Sequence, residues 1–157
     1  MKTSKYRNIA TNYNLLKKAI FFVGLATGNR VSEISACTRN TLHQANPKNP
    51  IIPVKPGFIY QNQRSGRHPP SIRLIPLKGS SNQLCPVKTL TYVKRGDKAG
   101  SLFLNSKSNR PLKAFSISRL IIAIINEANP ELSQNAQGHD LRRIASSLAW
   151  TNEVAPD

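Results

Sequence analysis

The run that most constrains the fold is Ile117, Leu120, Ile121, Ile124, Ile125 and Ala128. Its spacing places every member on one face of an α-helix. Phe115 or Ser116 opens this helix and Pro130 ends it. An apolar face so continuous has to be covered by other elements, and two more stretches carry the same period. From Tyr13 to Ala26, a stripe of Leu15, Ala19, Phe22, Val23 and Ala26 is broadened by Leu16 and Ile20, predicting a helix buried on most sides. From Gly138 to Ala149, Leu141, Ile144, Ala145, Leu148 and Ala149 predict an inward-facing stripe on a last helix.

The segments between are shorter. Thr27-Gly28-Asn29 breaks the first helix, with Gly28 suited to the left-handed conformation that ends helices. Arg30 to Ala36 then reads as a short second helix. Pro47, Pro50, Pro53 and Pro56 make residues 45–56 a loop with extended pieces. Phe58 to Gln63 and Ser71 to Leu77 read as the strands of a hairpin whose tip carries Arg64, Arg67 and His68. After a Gly/Ser connector, Pro86 opens a helix to about Arg95. Ser101 to Leu104 is a short apolar strand, and Asn105 to Lys113 a polar loop. The expected fold is mainly α with a small antiparallel β-sheet, an α+β arrangement in one domain over residues 13–157. Residues 1–12 form a basic start, either disordered or a linker.

Charge narrows the partners. The 157 residues hold 23 Lys and Arg against 7 Asp and Glu, a net +16. A field of that sign attracts polyanions, nucleic acid first. A membrane is not the expected partner, since no apolar run approaches the roughly 18 residues of a span and no basic helix face is paired with aromatics. Met1 to Arg7 leads into polar residues, so no secretory leader is expected and the chain reads as intracellular, nuclear if eukaryotic. Cys37 and Cys85 have no metal-ligand spacing and read as reduced thiols. The sequence has no carboxylate cluster and no phosphate-binding glycine loop, and no small-molecule substrate is expected.

Two arginine-bearing stretches carry the chemistry. In the last helix, His139 and Arg142 are three residues apart and therefore neighbours, and Arg143 lies four from His139. An imidazole and guanidiniums at a helix opening suit a phosphate, aided by the helix N-terminus. The plain alternative is a solvated basic face. Far upstream, Arg30 sits at the corner between two helices, with Glu33 three residues on to orient its guanidinium or merely to pair with it locally. The hairpin tip, with Arg64 and Arg67, is either a phosphate-backbone contact or a solvated turn.

Thr27-Gly28-Asn29-Arg30-Val31-Ser32-Glu33-Ile34 resembles the first motif of the tyrosine recombinase (phage integrase) family, and Gly138-His139-Asp140-Leu141-Arg142-Arg143 resembles the second. The order and the intervening hairpin also agree, and the resemblance covers roughly residues 13–150. Leu84-Cys85-Pro86-Val87-Lys88-Thr89-Leu90 and the stretch from His139 to Ala149 are most similar to integrases of eukaryotic DIRS-like or Crypton-like mobile elements. The resemblance implies that Arg30 and Arg142 grip the scissile phosphate and stabilise its transition state. It implies that His139 hydrogen-bonds the same phosphate and assists proton transfer. A tyrosine would attack to form a phosphotyrosyl link, with no metal or cofactor. The implied partner is duplex DNA, gripped by its phosphate backbone, with assembly of several copies on DNA left open.

Two family features have no counterpart. Tyr6, Tyr13, Tyr60 and Tyr92 all precede the second motif, where the family's nucleophile follows it. The strand from Phe58 to Gln63 lacks the family's lysine, and Gln61 cannot protonate a leaving group. The expectation is therefore a DNA-binding recombinase domain that is catalytically incomplete, cut before its tyrosine. The alternatives are a non-catalytic nucleic-acid-binding module and a basic structural protein.

Overall fold

The computed structural model describes residues 3–39, 51–52, 58, 72–74, 85–92, 100–132 and 136–153. Within them the chain is mainly helical. The order is α1 (Thr3–Thr27), α2 (Val31–Ser35), β1 (Ile51–Ile52), β2 (Ile72–Arg73), α3 (Pro86–Tyr92), α4 (Ala114–Ala128), a 3-10 turn (Pro130–Leu132) and α5 (Asp140–Glu153). α1 is the hub: it packs against α5, α3, α4 and α2, and α2 also packs on α4. No helix among the described residues is long and apolar enough to cross a membrane.

α1 begins at Thr3, ten residues before the expected start, so the basic N-terminal stretch is helical rather than disordered. Nothing in it breaks a helix, since it holds neither proline nor glycine. Its buried stripe is Leu16, Ala19, Ile20, Val23 and Gly24, whereas Leu15 and Phe22 are half-buried and Ala26 is exposed. The expected stripe was thus rotated. Gly24 explains the rotation: a Cβ there would overlap Leu141 Cδ2 and lie 3.1 Å from Ile34 Cδ1. The missing side chain lets α5 and α2 approach, which turns this face inward.

Gly28 ends α1 as expected. Its φ is +60°, and its N–H donates to the Gly24 carbonyl at 2.9 Å. A side chain there would be strained by about 1–2 kcal/mol. α4 buries Ile117, Leu120 and Ile121 and half-buries Ile125 against the same core, with Ile34, Leu102, Phe103 and Leu141. Each such residue contributes roughly 1.5–3 kcal/mol by leaving water.

The described β-structure is slight. β1 pairs antiparallel with β2, Ile51 opposite Arg73 and Ile52 opposite Ile72. β2 lies in the expected return strand, and its partner is one of the extended pieces expected within the proline-rich loop rather than the Phe58–Gln63 strand. Pro50 and Pro53 flank the two isoleucines and leave both their N–H groups free to pair. Phe58 is in neither helix nor strand and packs on the core. The rest of the expected Phe58–Gln63 strand lies outside the described residues. The expected strand at Ser101–Leu104 is instead two isolated bridges, Thr38 with Ser101 and Leu104 with Pro111. The Leu102 N–H donates to the Cys37 carbonyl at 2.8 Å and the Leu112 N–H to the Phe103 carbonyl at 3.0 Å.

Candidate nucleic-acid interface

The corner after α1 is held by local bonds. Thr27 Oγ1 donates to the Val23 carbonyl at 2.7 Å and accepts from the Asn29 N–H at 3.3 Å. Arg30 is extended, with φ −70° and ψ 154°, as the N-cap of α2. Glu33 does not orient its guanidinium as expected. Its Oε2 accepts from the Arg30 backbone N–H at 2.7 Å. Glu33 is the third residue of the helix, and from there a carboxylate reaches back to the unpaired N–H of the cap. It thereby fixes the main chain at Arg30 and leaves the half-buried guanidinium without an ion pair among the described residues. Beside it, Asn29 Nδ2 is buried with no hydrogen-bond partner there, an orphan that costs about 1–3 kcal/mol. Nothing in the sequence singled out Asn29.

The second segment begins in the turn at Gly138-His139. His139 is exposed and precedes α5, and its carbonyl accepts from the Arg142 N–H at 3.0 Å and the Arg143 N–H at 3.4 Å. Asp140 Oδ2 accepts from the Gln137 N–H at 2.7 Å. Asp140 Oδ1 lies 3.6 Å from Arg143 Nη1. That pair is worth only a few tenths of a kcal/mol, since the Arg143 side chain is 81% exposed.

These two segments, distant in sequence, pack side by side. Gly24 faces Leu141, and a Cβ on Gly28 would lie 3.9 Å from Ala145 Cβ. α1 and α5 therefore run parallel past each other, with Leu141 and Ala145 at the seam. At about 100° per residue, Arg142 is then roughly 80° from the direction of α1 and Arg143 roughly 180° from it. Arg142 is therefore on one flank of the seam, Ile144 on the other, and Arg143 on the far side. No hydrogen bond or ion pair joins Arg30, His139 and Arg142 to one another.

The expected apolar face of α5 is only partly buried. Leu141 and Ala145 are inside, but Ile144 is 38% and Leu148 45% exposed. The close approach of Leu141 to Gly24 fixes the helix's rotation and turns Ile144 about 80° off the seam. Leu148 points toward α1's side but lies one turn beyond Ala145, which already stands opposite Gly28 at the end of α1. Arg64, Arg67 and His68 lie outside the described residues.

Arg39 is a cation that sequence reasoning missed. It is 6% exposed, and its Nε and Nη2 donate to the carbonyls of Ser101 at 3.3 Å and Leu102 at 3.1 Å. Its role is structural. Cys37 and Cys85 are both buried and form no disulfide. Burial, with the Glu33 carboxylate adding to it, pushes the Cys37 thiol up to about 12. No group of three metal-ligating side chains occurs among the described residues. Comparisons with protein-family models, curated proteins and solved structures find no match.

Proposed function

We propose that this chain binds duplex DNA by its phosphate backbone, with Arg30, His139 and Arg142 taking the roles their motifs carry in tyrosine recombinases. The observation that supports this reading is the packing of the Arg30 corner against the first turns of α5 through Gly24, Gly28, Leu141 and Ala145. The two motif-bearing segments share one seam. Arg30 offers a guanidinium without an acidic partner among the described residues, on a backbone pinned by Glu33. Forked guanidiniums match the paired oxygens of a phosphodiester, and the net charge of +16 supplies the attraction at long range. A non-catalytic nucleic-acid module is the contrasting reading, in which charge alone binds and no residue is special.

The two readings separate in a salt titration of the full chain on a labelled duplex. Removing Arg30 and Arg142 together, each a charge-assisted contact, should weaken binding by about 100-fold. Replacing the exposed lysines Lys18 and Lys88 together should cost only about a fifth to a tenth as much. Arg143→Ala should resemble the lysine controls. Equal losses from both pairs would leave generic charge and end the recombinase reading. A nicked suicide duplex should give no denaturant-resistant adduct, because no tyrosine follows the second motif.

A further inference from the structure

A second feature lies apart from that corner. A cleft of about 320 Å³ opens between α1, the loop before α4 and the first turns of α4. That is within the size of small-ligand sites. Tyr13, Phe115 and Arg119 form its rim, Ser106 and Ser116 add hydroxyls, and Leu120 lies in its floor. Phe115 is 73% exposed and Tyr13 42%. The guanidinium carbon of Arg119 sits 5.9 Å from the Phe115 ring centroid. A large ring left in water, with a cation over one face, is a stacking platform without an occupant.

The surroundings select that occupant. Lys107, Arg110, Lys113 and Arg119 are all exposed, and no acidic residue occurs between Gly100 and Ala123. None of the four has an ion pair among the described residues. The loop that carries three of them is braced. Asn105 Oδ1 accepts from the Lys107 N–H at 2.9 Å and the Ser108 N–H at 3.1 Å, and the Asn105 N–H donates to the Arg110 carbonyl at 2.8 Å. A flat aromatic body with phosphates on either side satisfies both the ring and the cations. In a duplex the base faces are already stacked, so only an unpaired nucleotide offers one. We infer that the Tyr13–Phe115–Arg119 cleft takes an unpaired base of a single-stranded nucleic acid by stacking, with Lys107, Arg110 and Lys113 on the flanking phosphates. This inference does not rest on the duplex reading.

Fluorescence anisotropy of the full chain tests it, with labelled 15-mers of deoxythymidine and of uridine beside a 15-base-pair duplex. Phe115→Ala should weaken binding to the single strands by roughly 5- to 100-fold, the usual worth of one stacked base. The duplex should change less than about twofold. Phe115→Trp should restore single-strand binding, and in a Trp150→Phe background its fluorescence should be quenched by the oligonucleotide. The tighter of the two 15-mers identifies the sugar preferred. Because Phe115 is largely in water, its replacement should leave the melting curve unchanged. Equal losses on duplex and single strand, no loss on either, no single-strand binding by the wild type, or Phe115-dependent binding to anionic phospholipid vesicles instead would each overturn the inference. Phe115-dependent single-strand binding with duplex binding indifferent to Arg30 and Arg142 would uphold the cleft and sink the duplex reading, and the reverse pattern would do the opposite.

Discussion

Gly138 fixes where the His139 turn starts, and a methyl group there should be costly. A Cβ at Gly138 would overlap Ser118 Oγ, and would lie 2.8 Å from Ser118 Cβ and 3.1 Å from Ser118 Cα. The last two atoms belong to the body of α4 and cannot swing away. Gly138→Ala thus overpacks a buried site, at about 1–3 kcal/mol. Gly138 lies outside the helix and has no positive φ, so alanine recovers only about 0.4–1 kcal/mol through the unfolded chain. The net loss is between about 0 and 2.6 kcal/mol, centred on about 1.3 kcal/mol, or a fall of roughly 3–5 °C in Tm at that centre for a chain of this size. Ser118→Gly removes the side chain that alanine would meet, at about 0.5 kcal/mol in helix propensity. Urea unfolding of both single variants and the double should therefore give a favourable coupling of at least about 0.5 kcal/mol. Strict additivity would mean that α5 slides to accommodate the methyl, and that Ser118 does not set the position of the His139 turn.

Two further outcomes follow from buried groups. Arg39→Met leaves the Ser101 and Leu102 carbonyls without their donors, and should cost about 2–4 kcal/mol by urea unfolding. Arg39→Lys, which keeps the charge but not the fork, should fall between, and a neutral Arg39→Met would refute the structural role of Arg39. Cys37 should make stability fall in alkali. Its thiol stays protonated in the folded chain up to about 12, against an ordinary value of 9.0, so its contribution is intact below about pH 9 and lost as pH rises from there toward 12. Unfolding free energies measured from pH 8 to 11 should drop more steeply for the wild type than for Cys37→Ala, and parallel curves would contradict this.

How much of the fold the sequence discloses depends on what kind of contact makes it. α4 is legible because Ile117, Leu120 and Ile121 are buried by their own bulk, and helical period is a direct readout of bulk. α1 is legible as a helix but not in its rotation. Its seam with α5 is set by Gly24, which carries no hydropathy signal and counts in a pattern only as a breaker. That same blind spot put Ile144 on the buried face of α5, where it is 38% exposed, and Leu148 is 45% exposed because it lies past the end of α1. The pairing of β1 was hidden by its flanking prolines. Arg39 was hidden among many cations, since nothing local distinguishes a guanidinium that caps carbonyls in the core from one in solvent. Phe115 was read only as the opening of a helix, although its exposure is what makes it informative.

Arg142 and Arg143 are adjacent in sequence and identical in type, so composition and charge weigh them equally. The seam does not. Leu141 and Ala145 both face α1, and the helical turn then sends Arg142 to the flank of the contact and Arg143 to the far side, where it meets Asp140. A surface that binds by net charge has no use for this difference. A surface that grips one phosphate from two segments would depend on it, because Arg142 and Arg143 leave α5 in directions about 100° apart. Comparing Arg142→Ala with Arg143→Ala in the duplex assay therefore separates the two readings better than the total charge of +16 does.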